Sequence, residues 1–299
     1  MNPDHNKAYI QLHIAVFLFG LTAILGSVIE MSAFMIIWWR VLITSVSLLF
    51  FIQMGKNLNK LSTKTILRFS GIGLIIGLHW LCFYGSIKWS SSSITLICMS
   101  TTSFFVSIFE PLILRKRLEK SDLFLGLMII PLMYIALSDI DQKFYLGAMV
   151  GILSALLAGI FSILNKKYIS EAAPLEISFL ELSSILVLFS AILPFYYFRE
   201  PDLVILPPSF LDFVYLLILA LLCTTLAWVL SIAALKSVSA FTSTLVINLE
   251  PIYGIILGAI LLKEYKYLSP RFYIAGFFIV GLILAYPFVQ NKLKNHGKY

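Results

Sequence analysis

Charge is what this sequence has least of. Only 12 % of its 299 residues are Asp, Glu, Lys or Arg, against 60 % hydrophobic residues and a mean hydropathy of +0.95. That is too little polar surface to cover a water-soluble globule, so the composition implies an integral membrane protein. Cysteine is scarce too: Cys82, Cys98 and Cys223 lie inside apolar runs, with no CxxC pair and no histidine cluster beside them. A disulfide framework and a zinc site are thereby set aside, and no metal or cofactor is expected. HExxH and GxSxG motifs are missing, as is any carboxylate cluster of the kind that holds magnesium at a lipid phosphate. No stretch looks like an ATP-binding motif, so uphill movement of a solute would have to borrow a gradient. Long loops are missing as well. The longest segment between apolar runs is about twelve residues, Phe198 to Ser209, too short for a sensory or structural subunit built on soluble modules.

What is there is a series of apolar runs. The first nine residues are polar, and the run after them reaches about Ile29, longer than a signal-peptide core and without a small-residue cleavage site, so it reads as a retained helix. Nine more runs follow at 33–53, 66–87, 92–114, 122–138, 144–164, 175–197, 210–233, 240–262 and 271–289. Each approaches the ~20 residues that a bilayer-spanning helix needs. The net charge of +7 falls in short clusters between the runs rather than on one folded face, which argues for membrane topology and against a nucleic-acid partner. With the N-terminus inside, fifteen of the 22 Lys and Arg residues lie on the inner side, six on the outer side, and Arg40 within a span. Both termini are therefore expected to be cytoplasmic, in a multi-pass protein of the bacterial inner membrane.

The ten spans divide into two fives, 8–139 and 143–289. Phe19 to Leu25 in the first span matches Ala158 to Leu164 in the sixth in its order of small and apolar residues. A lone charge follows in the next span of each half, Arg40 in the second and Glu181 in the seventh. Hydroxyl residues open the fourth and ninth spans, at Ser90 to Ser93 with Thr95, and at Ser237, Ser239 and Thr242 to Thr244. Because five is odd, the second half must run in the opposite sense, and inverted repeats of this kind build transporters whose substrate site lies near the midplane. The expected fold is all-α, ten transmembrane helices in two inverted five-helix repeats.

The chain is organised around Asn248, Leu249, Glu250 and Pro251. They fall in the middle of the ninth span, where a charge costs roughly 3 kcal/mol and where Pro251 frees the carbonyl of Ile247 for another partner. A kinked packing helix whose acid meets a neighbouring donor is one reading; a residue lining a transport path is the other. Arg40 lies about 10 Å along its helix from the outer end. It reads either as a snorkelling side chain or as an anion contact in an outer vestibule with Trp38 and Trp39 beside it. Glu181 sits at a comparable depth from the inner end. His79, at mid-depth in the third span, is either a packing residue or a proton partner of Glu250. Trp80, Tyr84, Trp228 and Tyr253 either line a cavity or face lipid. Ser103, in the run Ser100 to Ser103, offers hydroxyls to a neighbouring helix or to a polar substrate. Glu110 reads as half of a surface ion pair with Arg115 and Arg117. Gly73 with Gly77, and Gly254 with Gly258, mark close helix packing.

The ninth-to-tenth segment, NLEPIYGIILGAILLKEYKYLSPRFYIAG, with the ten spans, the duplication and Arg40, resembles the EamA type of the drug/metabolite transporter superfamily over nearly the whole chain. Glu250, Pro251, Gly254, Gly258, Glu264 and Gly276 follow that family's order of acid, proline, small residues, loop acid and tenth-helix glycine. The first half departs from it, with Ser100 to Ser103 where a proline is common and Arg115, Lys116 and Arg117 where the loop acid would stand. The resemblance implies a secondary transporter working by alternating access, exporting an amino acid or related small polar metabolite, with the lipid bilayer and possible coupling protons as its other partners. An intramembrane enzyme acting on a lipid or peptide is the alternative, and the missing catalytic motifs count against it.

Overall fold

The structure, a computed structural model, describes residues 3–55 and 61–296, with side chains at 5–51 and 61–285. Every element among the described residues is helical. In chain order the spans are α1 (Pro3–Val28), α2 (Ala33–Gly55), α3 (Thr63–Trp89), α4 (Ser92–Leu114), α5 (Lys120–Leu137), α6 (Tyr145–Tyr168), α7 (Pro174–Arg199), α8 (Phe210–Ala234), α9 (Ala240–Leu261) and α10 (Pro270–His296). Among the described residues nine helices are long and apolar enough to cross a membrane, and the apolar part of α10, Pro270–Ala285, is shorter.

Packing pairs helices of one half with helices of the other. The closest neighbours include α3 with α6 and α7, α1 with α8, α2 with α7 and α8, α5 with α10, and α4 with both α6 and α9, while α9 also packs on α1. Exchanging each helix of one half for its counterpart in the other (α1 for α6, α2 for α7, and so on) returns the same set of neighbours. Side chains on these contacts form two cores. Met35, Phe69, Ile76, Leu182 and Leu219 belong to one, and Leu12, Ile97, Val106, Phe272 and Ile279 to the other. Small residues set the closest approach. At Gly73 an added methyl would run into the carbonyl oxygen of Glu181 and the Ser184 hydroxyl, so α3 and α7 touch backbone to backbone there.

α4 and α9, which pack on each other, are both broken, each after eight residues. One splits into Ser92–Met99 and Thr102–Leu114, the other into Ala240–Ile247 and Glu250–Leu261. Pro251 accounts for the second break, since it has no N–H to give and its ring crowds the carbonyl four residues back. The first break contains no proline and is satisfied across the repeat: Asn248 Nδ2 donates to the Ser100 carbonyl at 2.8 Å and to Ser103 Oγ at 2.7 Å. Asn248 and Ser103 thus tie one break to the other.

Each broken helix also starts and ends in the same way. Ser91 and Ser239 are N-caps, accepting from the N–H of Ile94 and of Thr242. The remaining first-turn donors are taken by a carboxylate from the opposite repeat. Glu264, 1 % exposed, accepts from Ser92 N at 3.1 Å, Ser92 Oγ at 2.6 Å and Ser93 N at 3.2 Å. At the other end of the bundle Glu110 accepts from Phe241 N at 2.8 Å. Both helices stop on a residue in the left-handed region, Arg115 and Lys263, each at φ 54°. The expected surface pairing of Glu110 with Arg115 and Arg117 is therefore replaced by a buried helix cap, with Lys116 the nearest cation at 3.9 Å. A helix N-terminus in a dry setting leaves several N–H groups without partners, and a carboxylate meets both the donors and the positive end of the helix dipole. The first repeat lacks a loop acid and places its acid within the helix instead. Gly258 makes room for the Glu264 cap, because a methyl there would lie 2.9 Å from Oε2.

Candidate functional site

An internal cavity of about 100 Å³ opens where both breaks meet α1, α2, α3, α6 and α8. On the scale at which one water needs some 10–15 Å³, it holds several waters or one small solute. Arg40 lies on its wall and is 2 % exposed. Its position is fixed from three sides. Nε donates to Thr224 Oγ1 at 2.5 Å, one terminal nitrogen donates to Tyr84 Oη at 2.8 Å, and the guanidinium carbon lies 3.9 Å from the centre of the Trp80 ring, over its face. Thr224 reaches Arg40 because α8 widens into a π-helical turn over Leu221–Leu226, where the hydroxyls of Thr224 and Thr225 bond back five residues, to Leu219 and Ala220. Snorkelling is thus excluded. Trp39, expected beside Arg40, instead donates to the Ile205 carbonyl at 2.7 Å, and Trp38 donates to Ser190. The remaining guanidinium donors have no acid bonded to them among the described residues.

Glu250 lines the same cavity as the first residue of the second half of α9, where the half-helix N-terminus favours negative charge. Glu250 and Arg40 are near enough to feel each other's charge, yet they form no ion pair among the described residues. His79 does not meet Glu250. Its Nδ1 engages Ser154, at 2.9 Å from the carbonyl and 2.8 Å from the hydroxyl, while the ring lies tilted 5.3 Å from Phe161 on the cavity wall. Nor does Asn248 meet Glu250, being engaged with α4. Tyr253 lies off the cavity, edge-on to Phe17 at 5.4 Å.

Trp80 and Trp228 stand at matching depths of α3 and α8 and meet at 5.7 Å, 75° apart in plane. Trp228 donates from Nε1 to Glu181 Oε2 at 3.0 Å, so a chain of contacts runs from Arg40 through two indoles on the cavity wall to Glu181 behind it. Asn165, expected at an inner loop, is buried in the last turn of α6 and lines the cavity. It carried no signal in the sequence, standing beside Lys166 and Lys167 at the end of an apolar run. The Thr224 π turn was equally silent; only the CTT triplet inside an apolar run hinted at it.

Outside the spans, electrostatics is local. The Asp141 carboxyl is held below its ordinary value by the Lys143 N–H it accepts and by the Lys143 ammonium. Burial, and then the Glu264 carboxylate beside it, push the Tyr267 phenol up.

Comparison with known proteins gives a consistent picture. The model of the EamA-like transporter family matches this chain twice, over residues 6–137 and 145–287. The chain is 27 % identical over 270 residues to a protein of Bacillus subtilis (strain 168) described as the uncharacterized transporter YetK, covering 86 % of this chain and 80 % of that one. A crystal structure superposes with a TM-score of 0.70 at 12 % identity, over 96 % of this chain and 99 % of its own; that likeness speaks to the fold alone.

Proposed function

The chain belongs to the EamA-like transporter family and is a membrane transporter of the drug/metabolite kind, and we propose that it is a secondary carrier exporting a small zwitterionic metabolite of the amino-acid class. The observation that carries this reading is Arg40. A guanidinium with donors to spare, held rigidly in a cavity at the meeting of two broken helices, is a site for the carboxylate of a solute. Glu250, across the same cavity, is the coupling group. It takes or releases a proton as the substrate carboxylate replaces or leaves it as the counter-charge of the fixed Arg40, so that proton and substrate bias the same conformational equilibrium. The excess of basic residues between the spans on one side supports cytoplasmic termini in a bacterial inner membrane.

Ligand-induced thermal stabilisation of the purified protein across amino acids tests the reading, because a ligand that binds the folded state raises its apparent stability. Arg40→Gln should abolish stabilisation by carboxylate-bearing ligands while leaving a folded protein, and Arg40→Lys should fall between, since the fork that holds Tyr84, Thr224 and a carboxylate together is lost. Unchanged stabilisation in both variants would show that Arg40 serves packing alone.

A further inference from the structure

The cavity has a second polar pole. Asn165 is 1 % exposed, and neither its amide nitrogen nor its oxygen has a hydrogen-bond partner; Glu181 is 0 % exposed, and its Oε1 has none either. Asn165 stands beside the Glu181 carboxyl group, outside hydrogen-bonding geometry. Buried polar atoms are nearly always satisfied in working proteins, and the two orphans of Asn165 on the cavity wall, with that of Glu181 behind the lining Trp228, call for a ligand with matching groups. The other buried side-chain atoms without a partner among the described residues are single hydroxyls, of Ser45, Ser93, Ser183 and Tyr273, whereas Asn248 and Arg40 on the same cavity are partnered across helices. Ser162 and Ser231 add two hydroxyls to the same part of the cavity wall.

The position repeats that of Arg40. Arg40 is seven residues into α2 and Glu181 seven residues into α7, each about 10 Å along its helix but from opposite ends of the bundle. Each is seated on the tryptophan of its own half, Arg40 over Trp80 and Glu181 on the indole N–H of Trp228, and the two indoles touch. The inverted repeat has thus put opposite charge types in equivalent places. Arg40 presents donors only; the other pole presents two free acceptors, Glu181 Oε1 and Asn165 Oδ1.

We propose that Asn165 and Glu181 form a second substrate subsite, the inverted counterpart of Arg40, which receives the ammonium group of the transported solute. An alkylammonium offers three donors and a positive charge, matching both free acceptors, whereas a carboxylate there would face Glu181 with no cation between them. Asn165 offers Oδ1 as a second acceptor for the ammonium, the Glu181 carboxyl group supplies the preference for a cation, and Trp228 fixes that group by holding Oε2.

The proposal rests on the cavity being the transport site, and a probe series separates the two claims. L-leucine, 3-methylbutylamine (leucine without the carboxylate) and 4-methylpentanoate (leucine without the ammonium) suit a cavity walled by Phe19, Met99, Phe161 and Ile232. Their affinities are measured on the full-length protein by calorimetry for wild type, Asn165→Ala, Asn165→Asp, Glu181→Gln and Arg40→Gln. Loss of the amide or the carboxylate should weaken leucine and the amine by about tenfold or more and leave the acid unchanged. Asn165→Asp, which keeps an acceptor, should retain amine binding, and Arg40→Gln should show the reverse split. If Glu181→Gln does not fold, the two Asn165 variants decide. Equal weakening of all three probes, or amine affinity unchanged in Asn165→Ala while Arg40→Gln still weakens the acid, overturns the subsite and leaves the transport site standing. Failure of all three probes to bind wild type overturns the transport-site reading and this proposal with it.

Discussion

Replacing Glu264 by Gln changes one atom and should loosen one end of the bundle. The carboxylate closes the N-terminus of α4 with three hydrogen bonds, from Ser92 N, Ser92 Oγ and Ser93 N, and joins the α9–α10 loop to the other repeat. A glutamine keeps one acceptor oxygen for the two Ser92 donors, but its NH2 group then faces the Ser93 N–H, donor against donor. One hydrogen bond to a charged group is lost, about 1.5–3 kcal/mol. Lifting of the loop breaks the same contacts, so the lifted population should rise by roughly 10- to 150-fold at 1.4 kcal/mol per decade. Leu268, 5 % exposed and in the core beneath the loop, reports it. In a background lacking Cys82, Cys98 and Cys223, the thiol of Leu268→Cys should be alkylated that much faster when Glu264→Gln is added, and faster still with Glu264→Ala. Glu110→Gln, at the opposite end, should leave this rate unchanged. A rate within about twofold of the parent for Glu264→Gln would mean that the carboxylate does not hold the loop, and the argument from the helix cap would fail.

Glu250→Gln should retain substrate exchange in proteoliposomes, lose the pH dependence of transport and fail to concentrate substrate against its gradient; wild-type accumulation with wild-type pH dependence would move the coupling group elsewhere. Thr224→Val removes the hydroxyl that bonds Arg40 Nε and should weaken carboxylate binding by about 1–3 kcal/mol with little loss of folded protein, Thr224→Ser restoring it, as titration calorimetry would show. Gly73→Ala forces α3 and α7 apart at the Glu181 carbonyl and should cost about 1–3 kcal/mol, read as a fall of several degrees in Tm in detergent. Single cysteines at the exposed positions Asp141 and Ser170 should be alkylated by an impermeant reagent from opposite sides of the membrane, Asp141 from outside; external labelling at Ser170 would reverse the orientation drawn from the basic residues.

Composition and the spacing of apolar runs were enough to place this chain in the membrane as a bundle of about ten helices, because a bilayer admits few structures and each apolar run announces its own span. The break at Glu250 and Pro251 was equally legible, since proline acts on its own helix wherever that helix sits. The break at Ser100 was not. Serines there are neutral until Asn248, 148 positions along the chain, takes up the freed carbonyl. Arg40 was visible as a buried charge, but whether it snorkelled or turned inward depended on Thr224, Tyr84 and Trp80, which arrive from three other segments. Glu110 looked like a surface residue because its neighbours in sequence are basic, whereas its partner is the first turn of α9. Asn165 looked like a loop residue for the same reason. Hydrophobicity is a property that each segment carries alone, and so the sequence by itself determined the spans. Satisfaction of a buried polar atom depends on what another helix brings within about 3 Å of it. The site, its partners and its orphaned atoms were therefore decided by the tertiary structure.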